Sequence, residues 1–514
     1  MSPAGRALLL ALLLLGAGLR IHDYGEPPMW VDEYATSWVV AADSWSEAVA
    51  RALSRDTHSV FHGLLARLAG ETFGNQRAAL RLPALLCGLA ALLLAYPLTF
   101  AVFRDRQAAL LGTLVFAIHR DLIQISQDAR PYSLALFCAM ASFLALLRLR
   151  ELETTDTASS TGFATRFGYI LATVGAYYAH TLFGFIVVIQ LAYRTLVDGW
   201  SWLRDRRWQV TLAAMATLVA PSLVQLMNLF GRRGELDWIG VTPWQFPFKI
   251  FVDFLTPNVF VPAACYLLLA GLLPARASAD WRRLAAEASV TPHRPLVLLA
   301  VWLLLPLVCF AIIPPLLGTH LAFPRYVLFT LPAALLLSVR LLTLAPRGFH
   351  RWAVAGIYFA ATLAFHLLPT HAAHGTFASK TQGGWDAAAR VIESEAGPED
   401  LVLFACGYIE ADLVATTHPG PRFRSYIDWP LLYHLPQERW PQVRSLPFRI
   451  TDATFPYLRG LLIEAGQHRR VWLAGDATVV DRMSRPFFLP TSQHRLHQEQ
   501  RFGVTKVLEF RATP

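Results

Sequence analysis

The chain has 514 residues, of which 55% are hydrophobic and 16% are charged, and its formal net charge is +9. Soluble globular proteins are closer to one quarter charged, so this composition, with a mean hydropathy of +0.40, excludes an ordinary soluble domain and indicates an integral membrane protein. The basic excess lies mostly in short arginine clusters between apolar runs, which is typical of topology signals. We therefore expect the bilayer as a partner, and no nucleic acid.

Apolar runs that are suited to cross a bilayer recur along the first 369 residues. The first run, residues 7–19, is short enough to leave a cleaved signal peptide as an alternative. No clear cleavage site precedes Arg20, so an uncleaved span is favoured. The other predicted spans are 83–103, 107–119, 131–149, 167–180, 181–198, 209–230, 254–273, 295–317, 324–344 and 351–369. Together they give about 11 spans, although residues 167–198 are also compatible with one long helix.

Arginines favour one side of these spans. With the N-terminus inside, the inside connections are rich in arginine, as at Arg104 and Arg106, whereas the outside ones are poorer apart from Arg232 and Arg233. The positive-inside rule then predicts a cytoplasmic N-terminus in the plasma (inner) membrane. The loop of residues 21–82 and the C-terminal tail would both be extracytoplasmic. Counting the ambiguous pair of spans as one helix would reverse the side of the tail.

The character of the sequence changes at about residue 370. Helical patterns alternate there with short apolar strands: helix Asp386–Glu395, strand Leu401–Ala405, helix Tyr457–Ala465, strand Val471–Ala474 and a last strand Val504–Phe510. Only Cys406 of the five cysteines lies in this tail, so no disulfide framework is predicted. The predicted fold is a polytopic α-helical membrane protein with a large first extracytoplasmic loop (residues 1–369), followed by a small α/β extracytoplasmic domain (residues 370–514).

Two adjacent carboxylates, Asp32 and Glu33, follow the first span and are flanked by Trp30 and Tyr34. Acidic residues at such a place are often only solvated loop charges. The functional alternative is a general base, because sugar transfer to a hydroxyl needs a group that accepts the hydroxyl proton. A partly buried carboxylate suits this role, since desolvation raises its basicity.

A second polar group, Asp56, His58 and His62, lies further along the same loop. The two histidines are four residues apart and would share one face of a helix. Imidazoles with a carboxylate are acceptable ligands for a divalent metal, which leaves a metal site open. Hydrogen bonding to a phosphate or a sugar is the favoured interpretation, and the sequence requires no cofactor.

Two further clusters of arginine, proline and tyrosine lie at predicted outer span ends. They are Gln127-Asp128-Ala129-Arg130-Pro131-Tyr132 and Pro324-Arg325-Tyr326, and His180 is expected near the same face. An arginine at a helix start favours anions and can bind a phosphate through two parallel hydrogen bonds. The alternative for each cluster is interfacial anchoring by arginine and tyrosine.

Together these stretches resemble the C-type superfamily of polyprenyl-phosphate-sugar-dependent glycosyltransferases, in particular the bacterial relatives of protein O-mannosyltransferases and of the lipid A aminoarabinose transferase. The motifs that carry the resemblance are Asp32-Glu33, Asp56-Thr57-His58 without the two prolines that follow in the family, Arg81-Leu82-Pro83, Ser126-Gln127-Asp128-Ala129-Arg130-Pro131-Tyr132-Ser133, the tyrosines before His180, Arg325-Tyr326 and Trp385-Asp386-Ala387-Ala388-Ala389.

The resemblance implies an inverting transferase that uses a sugar on a long isoprenoid phosphate at the extracytoplasmic face. It implies that Asp32 is the general base, that Arg130 and Arg325 stabilise the phosphate leaving group, and that His58 lies close by. The acceptor, whether lipid, glycan or protein, is not specified. Two other hypotheses are a lipid-linked sugar transporter or flippase and a non-catalytic membrane scaffold. The visible polar residues lie at span ends and no repeat is present, which disfavours a transporter.

Overall fold

The computed structural model describes residues 1–54, 59–74, 76–154, 160–223, 226–227, 294–316, 324–344, 355–360, 383–416, 421–484 and 494–513. Several residues singled out in the sequence lie outside this part of the chain: Asp56, His58, Arg232, Arg233 and the predicted span 254–273. Contacts between Cα atoms group the chain into two compact units. Unit 1 comprises Met1–Tyr24, Arg55–Leu65 and Arg81–His371, and unit 2 comprises Gly25–Ser54, Ala66–Leu80 and Ala372–Pro514.

Helices make up most of the described chain before residue 361. They are α1 Pro3–Ile21, α2 Val31–Val40, α3 Trp45–Ser54, α4 Val60–Phe73, α5 Arg77–Phe103, α6 Arg106–Ile118, α7 Arg120–Ser126, α8 Tyr132–Thr154, α9 Ser160–Ala179, α10 Ile186–Asp198, α11 Arg206–Val219, α12 Arg294–Leu316 and α13 Leu331–Leu344. Short 3₁₀ segments, Thr181–Phe185 and Pro324–Thr330, precede α10 and α13.

Six helices among the described residues are long and apolar enough to cross a membrane. They are Pro3–Ile21, Arg77–Phe103, Tyr132–Thr154, Thr181–Asp198, Arg294–Ile313 and Arg325–Thr343. A seventh span is formed if α6 and α7 are taken together, although they are bent by 58° at their junction. The chain is therefore a multi-pass helical membrane protein, and the total of about 11 spans stays a prediction.

The predicted pair of spans at residues 167–198 forms two helices that meet at His180. The ends of α8, α9 and α10 show that the chain reverses there. Glu153 near the end of α8 forms ion pairs with Arg166 near the start of α9 and with Arg194 near the end of α10, at 3.4 and 2.9 Å. Because α9 begins and α10 ends beside the same carboxylate, the two helices are antiparallel.

An ion-pair network closes this end of the helices, and we call it the basic pole (Arg150, Glu153, Arg166, Arg194 and Asp198). Arg150 donates to both carboxylate oxygens of Asp198 at 3.0 and 2.6 Å. Trp208 at the start of α11 donates its indole N–H to Glu153 at 2.7 Å. The network therefore joins four helices through two shared carboxylates.

A chain of polar side chains also connects these helices in their middle. The Tyr169 hydroxyl donates to the Gln190 side-chain oxygen at 2.8 Å, and the Gln190 amide donates to the Ser142 hydroxyl at 2.8 Å. Ser142 also bonds to Thr173 at 2.7 Å. Since polar groups in an apolar layer must find partners within the protein, this chain fixes the rotation of α8, α9 and α10 relative to one another.

A five-stranded sheet forms the centre of the C-terminal part of unit 2. Its strands are β1 Leu401–Ala405, β2 Val443–Ser445, β3 Arg470–Asp476, β4 His494–Phe502 and β5 Thr505–Ala512, in the order β2-β1-β3-β5-β4. β1 is parallel to β2 and β3, whereas β5 is antiparallel to β3 and β4. The helices are α14 Trp385–Glu395, α15 Pro421–Leu432, α16 Phe455–Ala465 and α17 Ala477–Met483.

The elements predicted for the tail are present, and β2 and β4 were not predicted. All five residues of β1 are buried, which is why its apolar run was recognisable. β4 is an edge strand whose residues are mostly exposed and polar, so it carries no hydrophobic alternation. The position of the tail relative to the membrane stays a prediction, as do the domain limits 1–369 and 370–514.

The ion-pair network gives a test of this architecture. Replacing Glu153 by Gln removes the negative charge that Arg166 and Arg194 share, so we expect a loss of about 2–3 kcal/mol in the free energy of unfolding. The measurement is thermal or denaturant unfolding of the protein in lipid nanodiscs. The matched control is Glu151→Gln, because Glu151 pairs with Arg104 through half-exposed side chains and should cost at most about 0.5 kcal/mol. Equal losses in the two variants would contradict the assignment.

Candidate functional site

The predicted site residues divide between the two units. Unit 1 contains His62, Arg81, Gln127, Asp128, Arg130, Tyr132, His180, Arg325 and Tyr326. Unit 2 contains Asp32 and Glu33. His58 lies outside the described residues.

The connection between α7 and α8 carries the arginine and tyrosine of the first cluster. Two hydrogen bonds hold its conformation: the Ser133 hydroxyl donates to the Ile125 carbonyl at 2.8 Å, and the Arg130 backbone N–H donates to the Asp128 carbonyl at 2.7 Å. Asp128 and Arg130 are both buried. A buried arginine on a fixed connection is a preorganised electrostatic element and not a solvated surface charge.

Gln127 fastens this connection to the end of α1. Its amide nitrogen lies 3.1 Å from the Arg20 carbonyl and 2.8 Å from the His22 carbonyl, and it donates to these last carbonyls of α1. Such carbonyls have no partner within their own helix and need donors from elsewhere. Gln127 was predicted to bind substrate, and its amide N–H groups are engaged by the backbone in this structure.

Arg20 is a residue that sequence reasoning missed. It is 1% exposed and donates to three backbone carbonyls, those of Gly16, Phe116 and Ala117, at 2.9, 2.9 and 3.0 Å. Phe116 and Ala117 belong to the last turn of α6, directly before its bend into α7. Arg20 thus satisfies carbonyls that the break leaves without helical partners. The sequence feature that could have identified Arg20 is its position as a lone arginine in the last turn of an apolar helix.

The second arginine and tyrosine cluster comes together with the first around His180. The His180 ring lies 5.5 Å from the Tyr132 ring and 6.2 Å from the Tyr326 ring. The guanidinium of Arg325 lies 5.8 Å from the centre of the Tyr326 ring. The charges of Arg130 and Arg325 both act on the His180 imidazole. We call this group the site pole (Arg130, Tyr132, His180, Arg325 and Tyr326).

The site pole and the basic pole lie at opposite ends of the same helices. Tyr132 begins α8, whereas Glu153 is near its end. At about 1.5 Å per helical residue the two poles are roughly 30 Å apart, which is close to the thickness of a bilayer core.

His62 lies beside the site pole and is 2% exposed. Burial and then the charge of Arg130 lower the pKa of His62 to about 4, opposed by a hydrogen bond with the Ala129 carbonyl. The imidazole is therefore neutral at neutral pH. Within the described residues no group of three His, Cys, Asp or Glu side chains is arranged to hold a metal ion. Asp56 and His58, which completed the predicted metal group, are outside that part of the chain.

Arg81 is also buried, in the second turn of α5, and its guanidinium donates to the Tyr24 carbonyl at 3.0 Å. This bond fixes the end of the segment that leaves α1. The contact is to backbone, so the observed partner of Arg81 is structural.

In unit 2 the two adjacent carboxylates have different environments. Both lie in the first turn of α2, where the helix N-terminus favours negative charge. Glu33 is 0% exposed, and its carboxylate accepts from the Trp30 backbone N–H at 3.3 Å. Glu33 therefore caps its own helix. Asp32 is half-buried, so it is the more accessible acid of the pair.

No family model matches the sequence, and no curated protein matches it. Solved structures match over nearly all of the chain. ArnT from Cupriavidus metallidurans in the apo state gives a TM-score of 0.58 at 13% identity, covering 98% of this chain and 97% of that one. The same protein bound to undecaprenyl phosphate gives 0.57 at 14% identity, with 99% and 98% covered.

A third match comes from an archaeal protein. Oligosaccharyltransferase AglB from Archaeoglobus fulgidus, in complex with an inhibitory peptide and a dolichol-phosphate, gives a TM-score of 0.52 at 12% identity. The match covers 92% of this chain and 69% of that one. This chain therefore shares the fold of ArnT and of AglB.

The burial of His62 predicts a pH dependence of stability. A pKa of about 4 in the folded protein, against 6.5 when exposed, means that the unfolded chain binds more protons between these values. The stabilisation is complete above pH 6.5 and is lost as the pH falls toward 4, by about 3 kcal/mol in total. We expect wild type to lose this amount relative to His62→Gln when unfolding is followed in nanodiscs from pH 8 to pH 4. Parallel curves for the two proteins would show that His62 is not held neutral by burial.

Proposed function

We propose that this chain is an inverting glycosyltransferase that moves a sugar from a polyprenyl-phosphate donor to a hydroxyl acceptor at the outer face of the plasma membrane. The observation that carries the proposal is the convergence of the two arginine and tyrosine clusters, from distant segments, on His180, whose ring lies 5.5 Å from the Tyr132 ring and 6.2 Å from the Tyr326 ring. The fold supports it, since a structure with the same fold is bound to undecaprenyl phosphate.

The site pole suits a phosphate leaving group. When the bond between the anomeric carbon and the phosphate oxygen breaks, its electron pair stays with the phosphate and negative charge increases. Two fixed guanidinium groups stabilise that charge, and they do so more strongly in a site that excludes water. His62, next to Arg130, is neutral at neutral pH and is suited to hydrogen bonding with the phosphate or the sugar. Tyr132 and Tyr326 supply aromatic surface against which an isoprenoid or a sugar ring can pack.

Asp32 is the proposed general base. The acceptor oxygen forms a bond to the anomeric carbon from the face opposite the phosphate, which inverts the configuration, and its proton passes to the Asp32 carboxylate. The products are the glycosylated acceptor and polyprenyl phosphate. Glu33 is used as a helix cap, and we assign the role of base to Asp32, as the resemblance to the family implies.

The two poles support the proposed location. By the positive-inside rule, the end with Arg150, Arg166 and Arg194 would lie in the cytoplasm and the site pole would face outward. Donor lipids stay in the bilayer, so an enzyme that uses them has to be embedded. The acceptor is a lipid, a glycan or a protein, and the reaction needs no organic cofactor.

The first test is the role of Asp32. We expect Asp32→Asn to lower the release of polyprenyl phosphate by about a hundredfold or more, because the acceptor proton then has no base. The assay uses purified protein in nanodiscs with a panel of polyprenyl-phosphate sugars and mixed acceptors.

The matched control is Asp43→Asn, an exposed acid in the same loop, which should retain full turnover. Glu33→Gln should lower thermal stability through the lost cap. If Asp32→Asn and Asp43→Asn are equally active, Asp32 is not the base. If wild type releases nothing from any donor, the flippase or scaffold hypothesis is favoured instead.

The second test concerns the phosphate. Arg130→Lys keeps the charge but removes the planar pair of donors, so we expect the dissociation constant for polyprenyl phosphate to rise about tenfold. Binding is measured by competition with a labelled donor in nanodiscs. The control is Arg104→Lys, a half-exposed arginine at the far end of the bundle. Unchanged binding in Arg130→Lys would refute the phosphate role.

A further inference from the structure

The helix that carries Asp32, α2, is hydrogen-bonded along one face by residues that lie 377 to 400 positions later in the chain. Three bonds are made at successive turns: the Tyr408 hydroxyl donates to the Val31 carbonyl at 2.6 Å, Tyr34 bonds to His434 at 2.7 Å, and the Trp38 indole donates to Ser425 at 3.2 Å. Positions 31, 34 and 38 share one face of an α-helix. All of these residues belong to unit 2.

Trp429 adds a fourth bond to the same helix. Its indole N–H donates to the Ser37 hydroxyl at 2.8 Å, and the Ser37 hydroxyl in turn donates to the Tyr34 carbonyl at 2.9 Å. The ten residues of α2 could be held by apolar packing alone. Hydrogen bonds are directional, so this many of them fix the rotation and the axial position of α2 and not only its burial.

Tyr408 is the anchor closest to Asp32. Its bond goes to the carbonyl of the peptide unit that joins Val31 to Asp32. In an α-helix that carbonyl also accepts from the N–H four residues later, so the tyrosine hydroxyl is a second, external restraint on the peptide from which the Asp32 side chain projects.

Tyr408 is itself held rigidly. It is the third residue after β1, is buried, and stacks on Tyr426 with ring centres 4.9 Å apart and planes 9° apart. Burial first, then Tyr426 and the Asp32 charge, raise the pKa of Tyr408 well above its usual value. The hydroxyl therefore stays protonated and is a hydrogen-bond donor at any working pH.

We propose that Tyr408 is a positioning residue for the transfer reaction: by holding the Val31 carbonyl it fixes where Asp32 presents its carboxylate to the acceptor hydroxyl. The inference rests on the proposed role of Asp32 as the base. It gives the C-terminal segment a part in the chemistry, because reacting groups must be held to within fractions of an ångström for an efficient reaction.

The experiment compares Tyr408→Phe with Tyr457→Phe in the full-length protein in nanodiscs. Tyr457 is the matched control, because its hydroxyl also donates to a backbone carbonyl in unit 2, that of Ser445 in β2 at 2.9 Å, rather than to a carbonyl of α2. We expect Tyr408→Phe to lower kcat about ten- to hundredfold, to change the KM for the donor less than about threefold, and to melt at the same temperature as Tyr457→Phe. Equal kcat in the two variants overturns the proposal.

A double-mutant cycle separates positioning from a general loss of structure. If Tyr408 acts through Asp32, adding Tyr408→Phe to Asp32→Asn lowers the residual rate no further. If the two losses multiply, Tyr408 acts elsewhere and the proposal is wrong.

Hydrogen exchange supplies a readout that does not depend on turnover. We expect the amides of residues 31–36 to exchange faster in Tyr408→Phe and at the wild-type rate in Tyr457→Phe. Unchanged exchange overturns the anchoring of α2. If the anchoring is observed but wild type turns over no donor, the proposed function fails and the catalytic part of this inference fails with it.

Discussion

A helix that breaks inside an apolar layer leaves carbonyl groups that must find donors, and the site pole depends on how this is achieved between α6 and α7. Arg20 and Gln127 act reciprocally: Arg20 from α1 satisfies the last carbonyls of α6, and Gln127 satisfies the last carbonyls of α1. These bonds fix the short connection that contains Arg130. Arg130, whose charge is proposed to bind the phosphate, is therefore positioned by hydrogen bonds to backbone carbonyls at some distance from the phosphate itself.

The two adjacent acids of α2, Asp32 and Glu33, also lie in different environments. The Glu33 carboxylate caps the N-terminus of α2. Asp32 is half-buried in the first turn of the same helix, and aromatic residues form hydrogen bonds to the opposite face. Sequence motifs treat the two acids as a pair. Their environments differ, since Glu33 is buried and caps its helix whereas Asp32 is half-buried.

Much of the fold was predictable where hydrophobicity alone decides structure. The long apolar helices and β1 follow from composition and period, and the resemblance to C-type glycosyltransferases agreed with the fold. Where hydrogen bonding decides structure, prediction failed: Arg20 donates to carbonyls of Phe116 and Ala117, which lie far along the chain, and the polar edge strand β4 has no hydrophobic alternation to reveal it. The convergence of Arg130 and Arg325 on His180 joins residues about 200 positions apart, so no local pattern could specify it.

The basic pole has a consequence for how the protein is made. Glu153 is synthesised 55 residues before its partner Trp208, and Arg166 and Arg194 emerge between them. At a translation rate of about 5–20 residues per second, Trp208 leaves the ribosome roughly 3–10 s after Glu153. During biogenesis α8 is therefore inserted with an incompletely neutralised acid at the membrane boundary, and the arrival of α11 completes the local assembly of the bundle.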